Sequence, residues 1–376
     1  FLPSGTVEYG GTSYGYSYVV NEDNHNGRTV QGFSLQVDAK MLKCAKCPYP
    51  DAQYFNAYYG APNYADIWVQ AALSGTKAAF PSGLGVADFS AYGFDGRAEC
   101  VKKGTAYMNV FMYVMREFED ALDDCKTDCA LTSCNDDPVH AWDEGVAFYS
   151  GSLEGLFGDG SGELLHQLAD KRCKDYATCI DEANTKSKVN DDLLNLFNLG
   201  SGQLISGKCE EARDTKNKIH DIMYIPLIQG TIRYANKVEN LQGGEKEKAE
   251  GAVFAAAVLP RIHAVDKDAA KTIYDNMRVG ASGTSFSDVK KAFESVYGEL
   301  NVKCSDIGGL VDKQGEYYDG AKPCSDGTST ANVLGIVFGV LAGVVFLGAA
   351  SFFCFMRKRE RAGNPVFKPT GDESAL

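Results

Sequence analysis

Between Val333 and Met356 lie 24 residues without one charge, VLGIVFGVLAGVVFLGAASFFCFM. At 1.5 Å rise per residue such a run reaches ~36 Å, enough to cross a hydrocarbon core of ~30 Å with some tilt. A helix apolar all round over this length suits lipid better than the interior of a soluble domain. Arg357, Lys358, Arg359 and Arg361 follow at once, and basic residues beside a span mark its cytoplasmic side. The run predicts a single-pass type I protein of the plasma membrane. It has a large extracellular part, a transmembrane helix over 332–356 and a cytoplasmic tail over 357–376. Gly335, Gly339 and Gly343 set G-x-x-x-G twice in register, a close-packing face for a homodimer, although glycine is common in such spans. In the tail, Asn364-Pro365-Val366-Phe367 reads as a turn that presents an aromatic ring. Endocytic adaptors capture that shape, and a plain turn has the same sequence.

About 330 residues before the span are ample for one large domain or two ordinary ones. The net charge is −13; the tail holds five basic and three acidic residues, +2, so the part before it carries −15. An acidic exterior argues against nucleic acid and fits cations or small neutral partners. Eleven of the twelve cysteines precede the span, and outside the cell they read as disulfides. An odd number leaves one thiol free, joined to another chain, or paired with something beyond this sequence. Cys44-x-x-Cys47 is a weak zinc or redox signal and more simply a bridge. No N-x-[ST] sequon precedes the span, so N-glycosylation is not expected. The chain starts at Phe1 without Met or a signal pattern, and an outside domain needs a signal, so a mature or truncated N-terminus is expected.

The pattern before the span is mainly α. Residues 1–60 are rich in Gly and Tyr, with short alternating runs such as Gly32-Phe33-Ser34-Leu35-Gln36-Val37, and read as strands and loops. Helices are expected over 65–80, 105–124, from Pro138 onward, 163–178, 189–199, 216–238 with a break at Pro226, 246–265, 267–277 and 287–300. Residues 306–331 read as a stalk. Met112-Tyr113-Val114 is echoed by Met223-Tyr224-Ile225, and Glu144-Gly145-Val146-Ala147-Phe148 by Glu250-Gly251-Ala252-Val253-Phe254. The same order at similar separations suggests two related helical halves, about 61–185 and 186–305, with a crevice between them.

Three groups of side chains could carry chemistry. His140, Asp143 and Glu144 share one side of a helix while Trp142, Val146 and Tyr149 share the other. An imidazole and two carboxylates on one face can hold a metal; an ion-paired first turn has the same pattern. Glu250 duplicates that carboxylate in the second half. Tyr113 and Glu117 are an i,i+4 pair beside Arg116 and Asp120. Phenolate and carboxylate oxygens are hard donors suited to ferric iron, and a solvated polar face reads alike. Arg233 lies on an apolar helix and needs an anion: Glu144, Glu250 or a small bound one. No nucleophile motif, H-E-x-x-H or P-loop occurs, and there are five histidines, which favours binding over catalysis.

Six blocks in order carry a resemblance: KGTAYMNVFMYVMREFEDALDDC, HAWDEGVAFYSGSL, LADKRC, VNDDLLNLFNLG, MYIPLIQGTIRYA and EGAVFAAAVLPRIHAVDKDAAKTIYDNM. Over residues 60–305 the chain resembles the algal iron-assimilation (Fe-assimilation) domain, shared by secreted iron-responsive proteins of green algae and membrane-anchored phytotransferrins of diatoms and related algae. The resemblance implies capture of ferric iron at the cell surface with carbonate as a synergistic anion, then endocytosis. A transferrin-like logic then takes Tyr113, Glu117, His140, Asp143, Glu144 and Glu250 as donors and Arg116 or Arg233 for the carbonate. A surface adhesion or structural protein without metal chemistry is the alternative, and a metal-dependent hydrolase the weakest reading.

Overall fold

Small side chains decide how closely helices approach, and helix α11 (Glu245–Val265) uses them most. Every residue from Ala249 to Pro260 is buried. Gly251, Ala252, Ala255 and Ala256 let α2 (Pro50–Tyr59), α4 (Phe94–Gly104), α10 (Ile225–Asn240) and α12 (Lys267–Met277) pack around it. A Cβ on Gly230 of α10 would stand 2.8 Å from the Phe254 ring. Pro260 sits inside α11 and offers no N–H to the carbonyl four residues back. That carbonyl, on Ala256, instead accepts the Tyr59 hydroxyl at 2.7 Å. A residue from α2 thus repairs the ladder that proline opens.

This computed structural model describes residues 4–9, 12–17, 29–127, 135–151, 153 and 162–325. The expected span, the Gly335/Gly339/Gly343 face and the Asn364-Pro365-Phe367 motif lie outside the described residues, as do Cys129 and Cys134. Among the described residues no helix is long and apolar enough to cross a membrane.

The chain is mainly helical, as its periodicity implies. Strands β1 (Ser4–Tyr9) and β2 (Thr12–Ser17) form an antiparallel hairpin, in register from Ser4↔Ser17 to Tyr9↔Thr12. Helix α1 (Val30–Leu35), a π turn over Asp38–Leu42 and α2 follow. The expectation of strands and loops throughout 1–60 is therefore corrected. Phe33, Val37 and Met41 are buried at a spacing of four, whereas Leu35 is 53% exposed. The alternating run concealed a helical stripe, and Thr29 starts it by accepting Gly32 N–H at 2.9 Å. Helix α3 (Tyr64–Ser74) ends at left-handed Gly75, before the expected stop at Pro81. The short strands β3 (Lys77–Ala78) and β4 (Ala87–Asp88) then pair.

From Phe94 to Asp124 the backbone stays helical: α4, a π turn over Thr105–Val110, and α5 (Phe111–Asp124). The start of α4 is capped at long range, Glu245 accepting Gly93 and Gly96 N–H at 2.9 Å each. Helices α6 (Asp136–Ser150), α7 (Leu165–Tyr176), α8 (Lys188–Ile205) and α9 (Cys209–Met223) follow. The break expected at Pro226 falls at Tyr224, between α9 and α10. Helix α13 (Phe286–Glu294) and the four-residue α14 (Cys304–Ile307) close the fold. Residues 306–325, expected to begin a stalk, pack on the body instead. Leu310 and Ala321 are buried, Gln229 donates to Ile307 O at 2.8 Å, and Val311 N–H donates to Asp175 O at 2.8 Å.

Disulfides join Cys44–Cys47, Cys125–Cys209, Cys173–Cys179 and Cys304–Cys324, and Cys100 is the free thiol among the described cysteines. It is buried, and burial pushes its pKa far above the usual thiol value, so it is inert.

Tyr59→Phe orphans the Ala256 carbonyl and should cost about 1–3 kcal/mol of unfolding free energy. In a Pro260→Ala background, where the backbone N–H returns, the same change should cost clearly less. Chemical denaturation of the four proteins of that cycle measures the coupling. Equal losses in both backgrounds refute the repair.

Candidate functional site

The clearest amphipathic helix of the sequence, α5, is buried on nearly all sides. Its apolar arc is buried as expected, including Val110, Phe111, Val114, Met115, Phe118 and Leu122. Of its expected solvent face Tyr113 and Glu117 are buried as well, and Arg116 and Asp120 are partly buried. Helix α6 comes close because it presents Gly145, where a Cβ would stand 2.9 Å from the Phe118 ring.

Tyr113 is 3% exposed. Its ring stacks on Phe33 at 3.9 Å and meets Phe148 edge-on at 5.3 Å. Tyr113 and Glu117 lie one turn apart on α5, Glu144 and Phe148 one turn apart on α6, so the two pairs face each other. Glu117 is 1% exposed. Its Oε2 accepts from Arg116 Nη1 at 2.5 Å, while Oε1 has no hydrogen-bond partner among the described residues. Arg116 Nη2 donates to Asp120 at 2.7 Å, its guanidinium lies 5.7 Å from the Tyr113 ring, and its Nε has no partner among the described residues. Burial raises the Glu117 carboxyl above its ordinary value; Arg116 pulls it back, and the charges of Glu144 and Asp120 push it up again. His140 Nε2 stands 3.4 Å from Glu144 Oε1 with its side chain 78% exposed.

The structure therefore brings Tyr113, Arg116, Glu117 and Glu144 together, with His140 at the exposed edge. Asp143 is exposed beside His140. Glu250 is elsewhere. It lies in the seam of α4, α10 and α11, ion-paired to Lys103 at 2.7 Å and hydrogen-bonded to Tyr234. Lys103 also holds Glu99 at 2.5 Å. The duplicated carboxylate thus answers a lysine rather than a shared metal centre. Arg233 pairs with Asp175 on α7 at 2.9 Å, not with Glu144 or Glu250. Among the described residues no group of three or more His, Cys, Asp and Glu side chains is disposed to hold a metal. The Tyr113 phenol and the Arg116 guanidinium stand beside the carboxylates in place of a third acid or imidazole.

A second polar network lies on the other side of α5 and escaped the sequence reading. Asp51 accepts from Tyr224 at 2.9 Å and contacts His220 Nδ1 at 2.8 Å. Lys216 donates to Glu119 at 2.6 Å, and Tyr49 to Asp123 at 2.8 Å. The signal was present: Lys216 and His220 fall on the buried stripe of α9 with Ala212, Ile219 and Met223. Burial raises the Asp51 carboxyl, but the His220 hydrogen bond and charge, with help from Arg261 and Tyr224, outweigh it and hold the carboxyl at about 2.

A carboxyl depressed below its unfolded value adds stability that is complete above the unfolded pKa and lost as pH falls through the folded one. Asp51→Asn should therefore destabilise the protein near neutral pH by on the order of 2 kcal/mol. The gap to the wild type should close between pH 3.8 and about 2. Thermal unfolding across that window decides it; a pH-independent gap would mean that shape, not charge, is lost.

Compared with protein-family models, curated proteins and solved structures, the chain matches none of them.

Proposed function

We propose that the α5/α6 cluster captures ferric iron outside the cell, with Tyr113, Glu117, Glu144 and His140 as donors and Arg116 holding carbonate. The protein is then a binder, not an enzyme. It resembles the phytotransferrins in its blocks, and its expected single span and N-P-x-F tail match the anchored form. Delivery follows by adaptor-driven endocytosis from the plasma membrane, with the glycine face of the span available for a homodimer.

One observation carries the reading. Glu117 Oε1 is buried without a hydrogen-bond partner among the described residues, on a carboxyl that also feels Glu144 and Asp120. A buried carboxylate oxygen without a donor is costly, and a small, highly charged cation is the natural relief. Two carboxylates and a phenol form a hard donor set. The free Nε of Arg116 offers one donor to an oxyanion beside them. The observation that favours the structural or adhesion reading is the closure of Arg116 on both Glu117 and Asp120. Iron capture requires that closure to loosen.

Acid should reverse the binding. A raised folded pKa means that in the metal-free protein protons compete for Glu117 at higher pH than for an ordinary glutamate, and carbonate is protonated by acid as well. The protonated form is the stable one in the fold, and its advantage fades as pH rises through the folded pKa. The same sign says that Glu117→Gln does not unfold the metal-free protein near neutral pH.

Full-length protein titrated with chelated ferric iron in bicarbonate should develop a visible phenolate-to-iron band. Tyr113→Phe should abolish the band, and Glu117→Gln should weaken binding roughly 100-fold. Omitting bicarbonate should weaken the colour. Wild-type protein without any band, or a Tyr113→Phe variant that keeps it, refutes the assignment.

A further inference from the structure

A second feature of the molecule is short of negative charge. Helix α7, helix α10 and the turn around Val311–Tyr317 enclose a groove of about 700 Å³. Its lining includes Lys174, Arg233, Lys237 and Lys313 against two carboxylates, Asp175 and Asp312, in a chain of net charge −13. The two carboxylates offset only half of the four cations, and each has other contacts. Asp175 Oδ2 is shared by Arg233 Nε at 2.9 Å and Arg172 Nη2 at 3.3 Å. Asp312 Oδ1 accepts the N–H groups of Gln314 and Glu316 at 2.8 and 2.9 Å. Lys174, Lys237 and Lys313 form no ion pair among the described residues. Burial, then the charge of Arg233, lowers the Lys237 pKa.

Donors also go unused. Asn236, on the groove wall, is 1% exposed, and its Nδ2 has no partner among the described residues. Arg172, paired with the lining residue Asp175, is 7% exposed, and its Nε and Nη1 have no hydrogen-bond partner among the described residues. Buried donors without acceptors carry a free-energy penalty. The walls are built rather than collapsed: Cys173–Cys179 closes the end of α7, and Cys304–Cys324 closes the strap that carries Val311.

We infer that this groove binds a multivalent small-molecule oxyanion, a polycarboxylate or a phosphate. Arg233, Lys237 and Lys313 supply charge, and Asn236 supplies a hydrogen bond at the back. The volume suits a small organic ligand rather than a single ion. The inference does not rest on iron binding by the α5/α6 cluster.

Isothermal titration tests it on full-length protein in detergent, freed of metal by chelator and dialysis. Trisodium citrate and inorganic phosphate are titrated separately, with sodium acetate at matched ionic strength as the monovalent control. Saturable one-to-one binding of citrate or phosphate is expected, weaker at high salt. The arm that binds more tightly names the ligand class. Lys237→Gln/Lys313→Gln should reduce affinity about tenfold or more, with the melting temperature of the free protein unchanged. Should that variant melt lower, Lys174→Gln/Lys313→Gln, both at exposed positions, serves the same purpose. No saturable binding of either ion at millimolar concentration, equal affinity in the folded variant, or acetate binding as tightly as both would each overturn the inference.

Discussion

Burial of α5 on nearly all sides is the constraint from which much of this fold follows. The helix carries Arg116, Glu117, Glu119, Asp120 and Asp123 into contact with other elements. Charges taken from water must meet partners, and each partner dictates a neighbour. Glu119 demands Lys216 and so fixes α9. Asp123 takes the hydroxyl of Tyr49 at the start of α2. Such pairs add little net stability, because desolvation offsets their attraction, but breaking one leaves a bare charge inside. Their effect is to forbid other registers of α5 against α2 and α9. The Cys125–Cys209 bridge ties the same seam across 84 residues, a constraint on the unfolded chain of about 4–5 kcal/mol.

The second seam, around α11, is built on the opposite principle. There the side chains are small, the approach is close, and the one backbone defect is filled by Tyr59. Polar groups survive at its margins, where Lys103 bridges Glu99 and Glu250. Among the described residues several buried polar atoms remain without a partner, and two groups of them matter here. At α5/α6, Glu117 has an oxygen without a proton donor; at α7/α10, Asn236 and Arg172 have donors without an acceptor. An imbalance of either sign, held in place by packing that does not need it, is what a ligand of opposite charge can use.

Much of the helical content was legible because long apolar stripes with capping residues are hard to mistake. The stretch 267–277 was read with its bounds, and 246–265 within one residue. The errors have physical causes. Phe33 and Val37 satisfy both a period of two and a period of four, and only the exposure of Leu35 separates the two readings. A helical wheel shows that α5 has one apolar face, but it cannot show that α1 and α6 cover the other. Of the two readings open for Tyr113 and Glu117, the solvated face is the one their burial removes. The partner of Arg233 is Asp175, 58 positions earlier by its number, and nothing local marks such a pair. Glu250 echoes Glu144 in sequence, yet Lys103 already neutralises it. A repeated motif preserves a position on a helix and not the charge that faces it.

The two sides of α5 answer acid in opposite ways. Glu117 has its pKa raised by burial and by neighbouring carboxylates, so it takes up a proton before an ordinary glutamate does. Asp51, across the helix, is held at about 2 by His220, Arg261 and Tyr224, so it keeps its charge far below the point at which Glu117 has lost its own. One face of a single helix can therefore be neutralised while the other still locks α2 to α9. The capture proposed above would use that interval, because protons would compete with the cation for Glu117 before they reach Asp51. Reversible capture requires that separation, and it arises because burial acts on both carboxyls while only Asp51 has a cationic network strong enough to overrule it.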